Sequence, residues 1–521
     1  MNRTQLDVTS ARGRQTIVPT RDELPLRLSE ILRREQLALN TRCGQRGLCD
    51  GCLVDLVSGG LVHTTSGATV EAPATLRGCE YRLAQGRATS IQIGARSLLA
   101  YEPQVVVDFR TNVPRAHDPL VATGIGAAID IGTTTVAVML IDLTDGRVLG
   151  HAAEFNRQMH LGDDVLTRIN LCMTDPTMLA QMQRAVSVET IQFLLDEALQ
   201  NAGLTYDRLT CLSVAGNTTM LHLFAGVDPS PMGIMPFTPV FLEHRELRAA
   251  DVKLRGEGVV HLLPSAAAYV GADLCAGVFA TGLAYDIGPC LLVDVGTNGE
   301  IILKHREHLL GCATAAGPAF EGAGLTSGLR AGDGAIERIR FTREPFAVQT
   351  EIIGTARATG ICGSGFIDLL ADGRRVGLLS DRGRFDPALV SGGELVVAPS
   401  VIVSELDISR LLQAKAAIAA GIMTLLERVG LTPADVKTLY LAGGFGMHLD
   451  IGNAIGCGLL PGFGHAQIEV VGNTSLAGAY LALLDSSALE EMKRISQRLE
   501  VLELNLDPDF ESRYIDHLLL P

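Results

Sequence analysis

The residues best suited to chemistry in this 521-residue chain are four cysteines, Cys43, Cys49, Cys52 and Cys79. The first three form C-x5-C-x2-C, and the fourth follows Cys52 by 27 positions. Thiolates at that spacing converge on one soft centre. Gly44, Gly47 and Gly51 let the loop turn and leave N–H groups to point at bound sulfide. Two centres satisfy four thiolates, an iron–sulfur cluster and a structural zinc ion. Zinc sites usually pair two C-x2-C knuckles. A single knuckle occurs here, with no His pair beside it, so the pattern favours iron and sulfur. The other seven cysteines (Cys172, Cys211, Cys275, Cys290, Cys312, Cys362 and Cys457) stand singly among apolar or glycine neighbours and read as small buried hydrophobes.

A second chemistry is written twice. Ala127-Ala-Ile-Asp130-Ile-Gly132-Thr133-Thr134-Thr135 recurs 164 residues later as Leu291-Leu-Val-Asp294-Val-Gly296-Thr297-Asn298-Gly299-Glu300. Each copy is an apolar strand, an Asp-x-Gly-Thr turn and a second apolar strand. Backbone N–H groups and hydroxyls at a glycine-opened turn grip phosphate oxygens, and an Asp at each strand end holds Mg2+ directly or through water. Two such hairpins facing across a cleft would clamp a nucleotide polyphosphate. Neither G-x-x-x-x-G-K-[ST] nor G-x-G-x-x-G occurs, so a P-loop or dinucleotide site is not supported. A third glycine turn, Ala442-Gly443-Gly444-Phe445-Gly446, ends an apolar strand.

The elements that must position these groups follow from pattern. Residues 4–18 read as two short strands, 22–36 as an amphipathic helix through Leu24, Leu28, Ile31 and Leu32, and 53–57 as a strand. Residues 409–429 read as a helix with Leu411, Ile418, Ile422, Leu425 and Val429 on one face, ended by Gly430. The chain is long enough for two or three domains. Its formal charge of −15 with pI near 5.3 argues against a nucleic-acid binder. Its 47% hydrophobic content with 56 glycines suits buried sheets and tight turns. The apolar stretches near 120–141 and 259–283 are broken by Asp130, His261, Pro264 and Asp273, which argues against a membrane span. The N-terminus lacks a signal-peptide pattern, so a cytoplasmic location with reduced thiols is expected.

The cluster loop resembles that of the vertebrate-type and bacterial hydroxylating ferredoxins. Strand–strand–helix–cluster loop–strand is the order of a β-grasp [2Fe–2S] ferredoxin. The paired Asp-Gly-Thr hairpins, with the turn at 443–446, resemble the phosphate and adenosine motifs of the actin, hexokinase and heat-shock ATPase superfamily. Within it, Gly360-Ile-Cys362-Gly363-Ser364-Gly365-Phe-Ile-Asp368 resembles the interdomain connecting helix. The fold expected is α/β and α+β multidomain. It comprises a ferredoxin domain at 1–97, a linker at 98–123, and an actin/hexokinase-like ATPase with two ribonuclease H-like subdomains at 124–521.

Five further motifs make the resemblance specific: Asn156-Arg-Gln158, Gly162-Asp-Asp164-Val, Gly216-Asn217-Thr218-Thr219-Met220, Ala316-Gly317-Pro318-Ala-Phe-Glu321-Gly322 and Gly472-Asn473-Thr474-Ser475. With them the chain resembles the reductive activators of corrinoid proteins, from about residue 4 to 515. The resemblance implies ATP-driven transfer of one electron from a [2Fe–2S] cluster on Cys43, Cys49, Cys52 and Cys79 to Co(II), regenerating Co(I). It further implies that Asp130 and Asp294 position Mg2+, and that Gly132, Thr133, Thr134, Gly296, Thr297 and Asn298 hold phosphates. Gly443 and Gly444 would admit the base. Glu300 or Glu321 would orient water, or serve as a structural acceptor. The partners implied are a corrinoid protein and an upstream low-potential reductant such as a ferredoxin or flavodoxin reductase; a homodimer is an open option. Relatives often carry a middle domain between the modules, and residues 98–123 leave room only for a linker, so that domain is expected to be missing. Three rivals are an activator of 2-hydroxyacyl-CoA dehydratase type, a small-molecule kinase with a redox-sensing ferredoxin domain, and a non-enzymatic redox scaffold.

Overall fold

A computed structural model describes residues 4–10, 13–21, 23–35, 37, 39, 52–94, 97, 107–113, 117–296, 298–354 and 357–521. It divides into two compact units, 1–102 with 158–163, and 103–157 with 164–521.

The first unit is built on a five-stranded sheet ordered Gly13–Ile17, Gln5–Ser10, Ala88–Ile93, Leu53–Ser58, Ala74–Arg77. Its central pair, Gln5–Ser10 with Ala88–Ile93, is parallel and its other pairings are antiparallel. Alternation along the strands puts Leu6, Val8, Val54, Leu56, Ile91 and Ile93 on one buried face, packed with Leu28, Ile31 and Leu32 of the helix Leu28–Arg34. That helix starts six residues later than its apolar spacing predicts. Pro25 disfavours helical backbone at Leu24, and the Arg27 N–H instead donates to the Glu30 carboxylate at 2.8 Å, which caps the helix from within its first turn.

The second unit holds two six-stranded sheets of one plan. The first is ordered Val148–Phe155, Thr135–Asp142, Ile125–Ile131, Leu209–Gly216, Val259–Leu262, Arg245–Arg248. The second is ordered Glu500–Val501, His308–Thr314, Gly299–His305, Cys290–Val295, Thr438–Ala442, Gln467–Gly472. In both, an antiparallel meander of three strands hands its first strand to two further strands in parallel. The echo in sequence is therefore a duplication in topology. The Asp-Gly-Thr turns fall at the same place in each sheet, between its first and second strands.

Helices cover these sheets. The helix Glu405–Arg428 begins at Ser404, whose hydroxyl accepts from the Asp407 N–H at 3.2 Å, and gives way to Gly430 at φ +71°. It is the one helix among the described residues long and apolar enough to cross a membrane, and 78% of its apolar window is buried within the protein. The helix expected over 360–368 begins only at Gly363 and runs to Arg375, after a short strand Gly360–Ile361, and it packs on the strand Ala335–Arg343 inside the second half. The close crossing of small residues lies elsewhere, between helices Ala272–Ala280 and Thr474–Leu484. A Cβ on Gly478 would stand 2.3 Å from the Ala276 Cβ, so the two backbones meet there with no room for a side chain. The second of these helices follows the last strand of the second sheet yet lies against Ile125–Ile131 of the first. The connecting role expected of 360–368 thus belongs to this pair.

Candidate functional site

Both Asp-Gly-Thr turns open into one cleft of about 280 Å³. Asp130, Gly132, Thr133, Thr134, Asp294, Gly296, Asn298, Glu300, Gly443 and Gly444 all line it. Thr297, like Cys43 and Cys49, lies outside the described residues.

The first turn is fixed from behind. The buried Arg168 guanidinium donates to the Thr133 carbonyl at 2.6 Å, and the Asn156 amide donates to the Gly132 carbonyl at 2.9 Å. Asn217 caps the helix Thr218–Ala225 with its carbonyl oxygen and gives its amide to the Thr133 hydroxyl at 3.0 Å. These bonds engage the turn's carbonyl oxygens, while Gly132, Thr133 and Thr134 line the cleft, where a glycine-opened turn can offer N–H groups to phosphate. Asp130 at the end of the preceding strand accepts from the Asn473 amide at 2.9 Å and the Ser475 hydroxyl at 2.7 Å, both at the start of the helix Thr474–Leu484.

Opposite stand Asp294 and Glu300, partners in register across the second hairpin. Gly443, at φ +86°, approaches so closely that a Cβ there would lie 2.6 Å from the Asp294 Oδ1. The glycine expected to admit a base is thus needed first to let this strand end pass the carboxylate. Glu321 also lines the cleft, receiving the Thr134 hydroxyl at 3.3 Å and the Arg330 guanidinium at 3.0 Å. Arg330 in turn lies over the Phe155 ring, 4.8 Å from its centroid.

Asp273 is a further carboxylate in this cleft. It sits at the start of the helix Ala272–Ala280 in an otherwise apolar segment, where it counted only as a charge that breaks a membrane span. A lone acid in an apolar helix was itself the signal. Burial pushes Asp273 up to about 7, with the Asp130 charge adding to it. Asp294 rises to about 7 for the same two reasons. Burial also raises Asp130, opposed by the bonds from Ser475 and Asn473. Glu300 is pushed well above the carboxylate range by burial, Asp273 and Asp294, with Asn298 opposing. Four half-buried acids, three of them raised further by a neighbour's charge, are short of positive charge, which a hard divalent cation can supply.

In the first unit Cys52 and Cys79 are both fully buried. They stand just outside the paired ends Leu53 and Arg77 of two antiparallel strands, where the Gly78 N–H donates to the Cys52 carbonyl at 2.9 Å. This brings two of the four predicted ligands to one end of the sheet, sheltered from water. The seven scattered cysteines are buried, as their neighbours predict.

Fold and cleft define an actin/hexokinase-like nucleotide-binding protein preceded by a ferredoxin-like unit. Residues 288–521 match the family described as the C-terminal, ASKHA domain of RACo, and residues 125–286 that described as RACo middle region. The chain is 32% identical over 415 residues to the corrinoid activation enzyme RamQ of Eubacterium limosum, covering 75% of this chain and 69% of that one. It is 26% identical over 405 residues to the [Co(II) methylated amine-specific corrinoid protein] reductase of Methanosarcina barkeri, covering 72% of each. A solved reductive activator for corrinoid, iron-sulfur protein superposes with TM-score 0.71 at 30% identity, covering 99% of this chain and 98% of that one. The chain belongs to the family of reductive activators of corrinoid proteins. These matches overturn one expectation. The family's middle region is present as residues 125–286, the part that carries the first phosphate turn, so no middle domain is missing.

Proposed function

We propose that this protein uses ATP hydrolysis to drive one electron onto the Co(II) corrinoid of a partner protein, regenerating Co(I). The observation that carries the reading is the meeting of both Asp-Gly-Thr turns in one acid-lined cleft, in a chain of this family. Asp130, Asp273 and Asp294 would hold Mg2+ directly or through water. Gly132, Thr133, Thr134, Gly296, Thr297 and Asn298 take the phosphates, and Gly443 and Gly444 bound the base. Glu300, which burial and the neighbouring Asp273 and Asp294 push well above the carboxylate range, would orient the attacking water where Mg2+ offsets those charges. Glu321 is already engaged by Arg330 and Thr134, so Glu300 is the better candidate for that task.

Cys43, Cys49, Cys52 and Cys79 would hold a [2Fe–2S] cluster, which supplies the single electron when bound. A tenfold change in a one-electron equilibrium is about 59 mV, so shifting the populations of open and closed clefts provides enough energy for a modest uphill transfer. An upstream low-potential reductant refills the donor, and the site of action is the cytoplasm. The test mixes reduced protein, Mg-ATP and a Co(II) corrinoid protein and follows the Co(I) absorption band. ATP-dependent Co(I) supports the reading, and its absence with every candidate partner overturns it. Iron and sulfide counting with EPR separates the [2Fe–2S] assignment from a [4Fe–4S] donor.

A further inference from the structure

The far edge of the first sheet carries a cluster of ligands that the nucleotide cleft does not use. Strand Arg245–Arg248 pairs antiparallel with Val259–Leu262, and its register sets Glu246 opposite His261. His244 lies two residues before Glu246 and therefore on the same face of the ladder. The His244 Nε2 and His261 Nδ1 atoms stand 3.1 Å apart, in rings whose planes differ by 12°. The Glu246 Oε1 lies 3.9 Å from the same His261 nitrogen. One ligand atom from each of the three residues falls within 4.8 Å of the others.

We propose that His244, Glu246 and His261 form a binding site for one divalent transition-metal ion of the zinc class, separate from the nucleotide cleft. Two imidazole nitrogens on a tetrahedral zinc at about 2.0–2.1 Å stand about 3.3 Å apart, close to the spacing found here. Without an ion, two lone-pair-bearing nitrogens at that distance must share one proton. With an ion, both lone pairs have a common acceptor and each ring keeps its proton on the outward nitrogen. His261 is buried and fixed by the ladder, His244 is partly covered, and Glu246 is 64% exposed and free to swing in. Two nitrogens and a carboxylate suit zinc, cobalt or nickel rather than Mg2+, which prefers oxygen throughout. Three protein ligands leave the fourth position open to water or to a group from a partner. The ion would tie the outermost strand of the sheet to its neighbour, an edge that is otherwise held by four paired residues.

The test uses the full-length protein with its iron–sulfur centre intact and Mg2+ present, stripped with a chelator and dialysed against zinc. Metal content is compared between the wild type and a His244→Ala, Glu246→Gln variant. His261 is left in place because its ring is buried, so the variant keeps the core. Zinc taken up by thiolates or by the acid cleft is common to both proteins and cancels. The expected result is one additional equivalent of zinc in the wild type, at an affinity at least about 100-fold above that of the variant, and a thermal midpoint that zinc raises in the wild type alone. Co2+ in place of zinc should give the visible bands of a tetrahedral site in the wild type only. Equal zinc content and equal midpoints in the two proteins would overturn the proposal, as would a wild type that retains no zinc.

Discussion

Gly443→Ala tests the geometry of the cleft at its tightest point. The residue sits at φ +86°, where a Cβ costs about 1–2 kcal/mol. That Cβ would lie 2.6 Å from the Asp294 Oδ1 and 2.9 Å from the Val295 carbonyl oxygen, whereas ordinary contact begins at 3.4 Å. The carboxylate must therefore give way by about 0.8 Å, the difference between 3.4 and 2.6 Å. A displacement of that size in a metal-positioning group costs on the order of 100-fold in rate, equivalent to about 2.7 kcal/mol of barrier. The loss should fall on Mg-dependent ATP hydrolysis and on ATP-driven Co(I) formation together. The visible spectrum of the iron–sulfur centre and the circular dichroism should match the wild type. ATP hydrolysis within a factor of two of the wild type in a folded variant would refute the placement of Asp294 at the metal.

Cys52→Ser should abolish electron transfer and bleach the iron–sulfur spectrum while nucleotide binding persists, and Asp294→Ala should keep the iron–sulfur spectrum while ATP hydrolysis and the Co(I) formation it drives are lost; the spectrum and both assays run on both variants check this. Asn473→Ala removes a helix cap worth about 1 kcal/mol and the amide that orients Asp130. It should lower both the denaturation midpoint and ATP hydrolysis, whereas a purely structural role would leave hydrolysis per folded molecule unchanged. His222 is buried, its Nδ1 2.7 Å from the Thr218 carbonyl oxygen and its Nε2 accepting the Val240 N–H at 3.1 Å, so the ring is held neutral. Burial depresses it to about 4 from 6.5. The unfolded chain then binds more protons, so His222 stabilises the fold above pH 6.5, and that contribution is lost as the pH falls toward 4. The loss amounts to about 3 kcal/mol in denaturant titrations, and His222→Gln should flatten that part of the pH profile.

The two phosphate turns were legible because a hairpin that grips phosphate is local. Strand, Asp-Gly-Thr and strand occur within a dozen residues, and a second copy in the same apolar setting marks the duplication. What lay beyond reach depended on partners far along the chain. Asp273 is 143 positions from Asp130, and only the folded helix brings it to the same cleft. The crossing of Gly478 on Ala276 joins residues 202 positions apart, whereas the glycines at 360–365 looked like a helix crossing and instead let a helix settle on a strand. Pro25 shifted the start of the first helix although the apolar spacing ran past it. The middle region was misread because it was sought as an insertion between the modules. It is instead the first half of the ATPase itself, so length bookkeeping between the two motifs could not find it.

The bonds from Asn473 and Ser475 to Asp130 sit beside the place where Gly478 meets Ala276. The helix that carries both side chains follows a strand of the second sheet yet packs on the strand of the first that holds Asp130. The acid of one half is therefore oriented by the other half, and any change in how the two sheets meet at this crossing reaches the cleft directly at Asp130.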